Sequence, residues 1–232
     1  MQKGLVLFVG LPCQVAAIRR FTNDNANLIT ADLVCSGVPS PELFKSYIVY
    51  TEKKHHIKII DYKFRDKHDF GLSHTTVITY KNRLGHLKKK TIKDRDLISY
   101  YVAFGKQNCY MKKCYSCDYN TIERVSDFTL GGFWNIGHVK TNLSEYDGIS
   151  LVLSCTPKSE KIVEFSIREN FANIEEHEIN ESILQNPAIY EHTDSKKYQK
   201  DLYNHLKLKG YKKTSNLYFK PKQKQSKCKV LN

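Results

Sequence analysis

Cys109, Cys114 and Cys117 fall within nine residues in a C-x4-C-x2-C spacing, so one short loop could aim three thiolates at a single centre. Iron-sulfur clusters need about four thiolates, and the backbone N–H groups of such a loop can donate to the cluster sulfurs. The same donors suit a structural zinc ion, and a lone C-x-x-C can be a redox dithiol or an unliganded pair. Spacing alone leaves these readings open. A fourth ligand has to come from elsewhere in the chain. Cys13 and Cys35 are the candidates, because each follows an expected buried strand, where parallel sheets place their functional loops. Cys155, at a strand end, and Cys228, in the C-terminal tail, rank below them. Lys112, Lys113 and Arg124 flank the loop and would lower the cost of a net-negative cluster.

Two glycine turns could serve a cofactor. Gly10-Leu-Pro12-Cys-Gln14 joins an apolar strand to a helix, which offers backbone N–H groups and the positive end of a helix dipole to an anion. Gly131-Gly132, before Phe133-Trp134, could let backbone approach a flat ring. Both segments also read as plain turns. Phe64-Arg65-Asp66-Lys67 is a charged cluster after a strand, the pattern of a solvated rim or a substrate clamp. The histidines show no zinc-protease spacing, and the chain has no P-loop, no complete G-x-G-x-x-G and no serine or cysteine nucleophile motif.

The elements that position these residues follow from periodicity and caps. Leu5–Val9 and Asn27–Cys35 read as buried parallel strands, Gln14–Phe21 as a helix, and Ser40-Pro41-Glu42 as the capped start of a helix reaching about Lys53. Ile57–Phe64, His74–Lys81 and Leu87–Ile92 alternate β-branched and aromatic residues, with a turn at Asn82–Gly85, and read as an antiparallel insertion. Asp94–Phe104 reads as helix, Ser126–Leu130 and Ile149–Cys155 as strands, and Pro157–Asn170 as an amphipathic helix. The expected fold is α/β: a mixed, largely parallel sheet flanked by helices, with a small antiparallel insertion and an iron-sulfur loop.

A chain of 232 residues, 41% of them hydrophobic, has room for one large domain or two small ones. Its net charge of +13 lies mainly in the last 38 residues, so a nucleic-acid function is not expected. Residues 1–211 are expected to form one domain and 212–232 a basic, disordered tail. No apolar run approaches the roughly 20 residues of a membrane span. Seven cysteines, an odd number in a chain this large, point to reduced thiols and a cytoplasmic location.

Taken together, Phe8-Val-Gly-Leu-Pro-Cys13-Gln14, Asp32-Leu-Val-Cys35-Ser-Gly-Val-Pro-Ser-Pro41, Phe64-Arg-Asp-Lys67, Cys114-Tyr-Ser-Cys117 and Arg124-Val-Ser-Asp127-Phe-Thr-Leu-Gly-Gly-Phe-Trp134 form an ordered set. The set resembles the C-terminal domain of the coenzyme F420 hydrogenase/dehydrogenase beta subunit family, over about Phe8 to Tyr211. The resemblance implies an oxidoreductase module with a 4Fe-4S cluster and FAD, and coenzyme F420 as a possible substrate. It implies Cys114 and Cys117 as ligands, completed by Cys109 and by Cys35 or Cys13, with Gly10, Pro12, Gln14, Gly131 and Gly132 as flavin contacts. A ferredoxin-like donor, or an N-terminal half lacking here, is the implied partner. Relatives in bacteria without F420 often sit among polysaccharide-synthesis genes, so the acceptor need not be F420. A non-catalytic half-domain stabilised by zinc or a cluster, completing a partner polypeptide, is the alternative. The chain departs from the family pattern at Ser36, Gly132 and Asn135, where His, Asp and Gly are usual.

Overall fold

The structure, a computed structural model, describes residues 4–64, 66, 76–92, 100–134, 141–143, 148–184 and 186–219. Apolar and β-branched runs build strands β1 (Val6–Gly10), β2 (Leu28–Leu33), β3 (Lys58–Lys63), β4 (Thr76–Lys81), β5 (Leu87–Ile92), β6 (Phe128–Gly132) and β7 (Ser150–Ser154). The helices are α1 (Pro12–Phe21), α2 (Pro41–His55), α3 (Tyr100–Gly105), α4 (Pro157–Arg168), α5 (Ile179–Ile183) and α6 (Leu202–Tyr218). Proline occupies the first helical position of α1, α2 and α4, where its missing N–H costs nothing. Ser40 and Thr156 cap α2 and α4 through their hydroxyl oxygens.

These elements divide into two compact units. The first holds a four-stranded sheet of order β1-β2-β6-β7, in which β1, β2 and β6 run parallel and β7 is antiparallel to β6. Phe133, Leu151 and Ile189 form a core cluster there, with Val34, Ile149, Leu153 and Ile183 packed against it. Gly131 is required at its place, because a Cβ would come within 2.7 Å of Val34 Cγ2.

Contrary to the sequence expectation, β1 is a strand but not a buried one: Leu5, Val6, Leu7 and Val9 are each more than half exposed. It lies at the sheet edge, so only one flank has a neighbour. An apolar run reports that burial is favourable, not that a covering layer is in place.

Between β2 and β6, buried Asp127 organises the first unit. Its Oδ2 accepts from the Thr30 amide (2.8 Å) and hydroxyl (2.9 Å), and its Oδ1 accepts from the Thr156 hydroxyl (2.9 Å). Burial pushes its pKa up, but the Thr30 amide and hydroxyl, the Thr156 hydroxyl and the Lys158 charge outweigh burial and hold the carboxyl below its ordinary value. Because the folded pKa is the lower one, the stabilisation is complete above the unfolded value of about 3.9 and disappears as pH falls through the folded pKa. Asp127→Asn, which loses charged hydrogen bonds, is expected to cost about 1.5–3 kcal/mol at pH 7. Urea unfolding repeated at low pH should show that gap narrowing.

The second unit pairs β3, β4 and β5 in an antiparallel sheet, with α2, α3 and α6. The Asn82–Gly85 turn forms as expected, with Asn82 Oδ1 accepting from the amides of Leu84 and His86. Its core is aromatic: Phe44 packs against Tyr62, Phe64 and Tyr100, and Tyr47 against Tyr211. α6 breaks at Gly210, whose φ of 73° favours glycine, and resumes through buried Tyr211 to Tyr218, beyond the expected boundary at 211. Lys207, Lys209, Lys212 and Lys213 are exposed on it, so part of the basic C-terminal stretch is helical. Residues 220–232 lie outside the described set, as do Arg65, Lys67 and Asn135.

Candidate functional site

The sulfurs that the first unit gathers come from three places in the chain. Cys13 is the second residue of α1, just past the C-terminal end of β1. Cys35 lies two residues past the end of β2. Cys114 sits within a 3-10 turn, Lys112–Ser116, and Cys117 directly follows that turn. Parallel strands deliver their following loops to one end of the sheet, which brings the first two together. The third place is held by backbone pairing. Met111 N–H donates to Val38 O (2.8 Å), Cys114 N–H to Met111 O (2.9 Å), and Val38 N–H to Cys114 Sγ (3.4 Å). Gly37, with φ of 137°, allows the turn after Cys35 that this pairing needs.

The electrostatics of Cys35 report the grouping. Burial is the largest cause pushing its thiol pKa up, an N–H bond from Gly37 opposes it, and the charges of Cys114, Cys117 and Cys13 add to the rise. Thiols from two other stretches of the chain thus bear on Cys35. Among the described residues, no group of three or more Cys, His, Asp or Glu side chains is placed to hold a metal ion.

Side chains brace the loops. The Asn120 amide donates both to Cys35 O and to Ala188 O, each at 2.7 Å, tying the stretch after Cys117 to the stretch after β2. Thr193 donates to Ser36 O (2.6 Å). Arg124 is buried with Asp32, to which its Nη2 donates at 2.9 Å, and its Nε donates to Thr129 Oγ1 (2.9 Å). Its Nη1 donates to the carbonyls of Tyr119 (3.1 Å) and Thr121 (3.2 Å). These braces are not legible in the sequence; a polar residue three places after Cys117 is the one available signal. The flanking cations are committed elsewhere, Arg124 to Asp32 and Lys113 to Asp118. Asn120→Ala is expected to cost about 1–3 kcal/mol by stranding two carbonyls. Dibromobimane, which bridges neighbouring thiols, should then join Cys35 to Cys117 several-fold more slowly in the variant.

Cys109 belongs to the second unit. Its thiol is buried, donates to Ala103 O (3.3 Å), and is pushed up to about 12, chiefly by burial. Its carbonyl accepts from the Tyr203 hydroxyl. Cys155 lies by Thr129 near the Asp32–Arg124 pair, its thiol pushed up mainly by burial.

At the glycine turns the neighbouring space is filled from within the chain. Gln14 Oε1 accepts the Leu11 amide (2.8 Å), and a Cβ on Gly10 would meet Phe8 at 2.9 Å. Pro12 is buried at the start of α1. A Cβ on Gly132 would meet the Trp134 indole at 3.2 Å. A Cβ on Gly131 would meet Val34 at 2.7 Å.

The first unit is a mixed α/β domain with cysteines on the loops past its parallel strands. The chain belongs to the family described as the C terminus of the coenzyme F420 hydrogenase/dehydrogenase beta subunit, whose model matches residues 4–180. The protein is thereby related to redox subunits and to the C-terminal part of a longer family architecture. No curated protein matches the chain. Among the described residues, no helix is long and apolar enough to cross a membrane.

Proposed function

We propose that this chain is an oxidoreductase module carrying a 4Fe-4S cluster on Cys13, Cys35, Cys114 and Cys117. It would relay electrons between a ferredoxin-like donor and a hydride-accepting cofactor such as coenzyme F420. The observation that carries the reading is that Cys114, Cys117 and Cys13 all bear electrostatically on Cys35, on loops that follow β1 and β2 and on the 3-10 turn. A cubane cluster supplies one-electron transfer, which is why a hydride acceptor also calls for a flavin as converter. No residue of this chain is assigned to that flavin.

What the residues themselves do is hold sulfur and backbone in register. Val38 donates its N–H toward Cys114 Sγ and Gly37 donates toward Cys35, and such bonds stabilise thiolate charge and raise a cluster's potential. The N-terminal end of α1, next to Cys13, favours negative charge nearby. Cys109, with its proton given to Ala103 O, is left out of the ligand set. Reduced thiols of this kind suit the cytoplasm.

Anaerobic purification followed by iron, zinc and acid-labile sulfide analysis tests the proposal. Iron and sulfide in equal amounts, with visible colour, support it. A colourless protein holding zinc and no sulfide overturns it in favour of a zinc-stabilised half-domain that completes a partner polypeptide.

A further inference from the structure

In the second unit, β4 and β5 close on a hairpin whose outer half stands in solvent: every residue from Lys81 to Lys90 except Asn82 is exposed. Five of these residues are cations, Lys81, Arg83, Lys88, Lys89 and Lys90, and positions 76–92 hold no Asp or Glu. None of the five forms an ion pair with another described residue. Two leucines stand at the turn, Leu84 78% exposed and Leu87 63%. Lysine on an edge strand also discourages unwanted pairing, but that leaves Arg83 and the bare leucines at the turn unexplained.

The turn keeps its own backbone satisfied. The amides of Leu84 and His86 donate to Asn82 Oδ1 (3.0 and 2.9 Å), that of Gly85 to Asn82 O (2.9 Å), and that of Asn82 to His86 O (3.0 Å). A tip paired in this way can leave water without stranding those donors, which is the main cost of taking backbone into an apolar layer. The cations surround the hairpin rather than line one side of it. Side chains alternate along a strand, so Lys88 and Lys90 share a face with their cross-strand partners Tyr80 and Ile78, and Lys89 shares the other face with Thr79. At about 3.4 Å per residue, Lys88 to Lys90 follow Leu87 by roughly 3–10 Å.

We infer that the β4–β5 hairpin is a peripheral anchor for an anionic lipid bilayer, with Leu84 and Leu87 entering the boundary between headgroups and acyl chains and the five cations holding the headgroups around them. The dimensions agree: apolar side chains of interfacial elements sit about 5–10 Å into that boundary, which leaves Lys88–Lys90 at the level of the headgroups. Charge and shape select the occupant. Cations on both faces call for an extended negative surface, and leucines at the leading end gain only where that surface has an apolar layer beneath it. Nucleic acid supplies the charge but no such layer under its phosphates. The hairpin belongs to the second unit and takes no part in the proposed cluster.

The test sediments the full chain with vesicles of phosphatidylcholine alone and of an equal mixture of phosphatidylcholine and phosphatidylglycerol. The chain should pellet with the mixed vesicles and not with the neutral ones, and should be released as salt rises. Replacing the three lysines together, Lys88→Gln, Lys89→Gln and Lys90→Gln, should weaken binding at least about twentyfold. Leu84→Ser with Leu87→Ser should weaken it at least about tenfold, and both sets, being at exposed positions, should leave the thermal melt unchanged. In Leu84→Trp, the emission of the added indole should shift to shorter wavelength on mixed vesicles and be quenched by brominated lipid. No binding to mixed vesicles, or an indole at position 84 that neither shifts nor is quenched, overturns the inference. So does binding that ignores both sets of substitutions, as attachment through the lysine-rich C-terminal stretch would, or binding that ignores the leucines and is matched by duplex DNA, the mark of a general polyanion site.

Discussion

Cys35→Ser is expected to reduce bound iron from about four per chain to well under one, whereas Cys109→Ser keeps the full amount. Cys13→Ser, Cys114→Ser and Cys117→Ser should behave like Cys35→Ser. The contrast rests on environment. Cys35 interacts with three other thiols and takes an N–H from Gly37, whereas Cys109 buries its S–H on the Ala103 carbonyl. The Cys109 thiol, held at about 12 chiefly by burial, belongs to the other unit and is bonded within it. Cys109→Ser should instead lower stability, because a buried sulfur is replaced by a more polar hydroxyl. Iron and sulfide analysis, with electron paramagnetic resonance of the reduced protein, checks both halves. Loss of iron in Cys109→Ser with retention in Cys13→Ser would reverse the ligand assignment.

The second large effect concerns the buried Arg124–Asp32 pair. Removing the guanidinium by Arg124→Ala leaves the Asp32 carboxylate fully buried without its partner, with Oδ2 already lacking a hydrogen bond. It also strands the carbonyls of Tyr119 and Thr121. Breaking a buried pair from one side costs about 3–5 kcal/mol, a large share of a domain's stability. Replacing both partners, Asp32→Asn with Arg124→Met, should recover part of that loss, because no uncompensated charge remains. Denaturant unfolding of the two single variants and the double variant checks this. A double variant no more stable than Arg124→Ala would locate the cost in lost packing.

Much of the framework is legible in the chain. Ser40-Pro41-Glu42 marks the start of α2, and the alternation of Leu87–Ile92 marks the strand that is β5, because caps and two-residue periods are local signals. The parallel first sheet and the antiparallel second one follow the same logic. Neither the split into two units nor the buried Arg124–Asp32 pair is legible, since the paired residues stand 92 positions apart and neither carries a local pattern.

The sequence by itself determined that cysteines would stand on loops following strands. It also determined that β1 would be a strand. Where each thiol lies was decided only by the tertiary structure. The parallel sheet brings the loops after β1 and β2 to one end, where the 3-10 turn pairs with Val38, while Cys109, five residues before Cys114, packs into the other unit. Sequence spacing measures distance along the chain, not distance in space. The exposure of β1 has the same origin: hydrophobicity is written residue by residue, but a covering layer is a property of what else is there to pack.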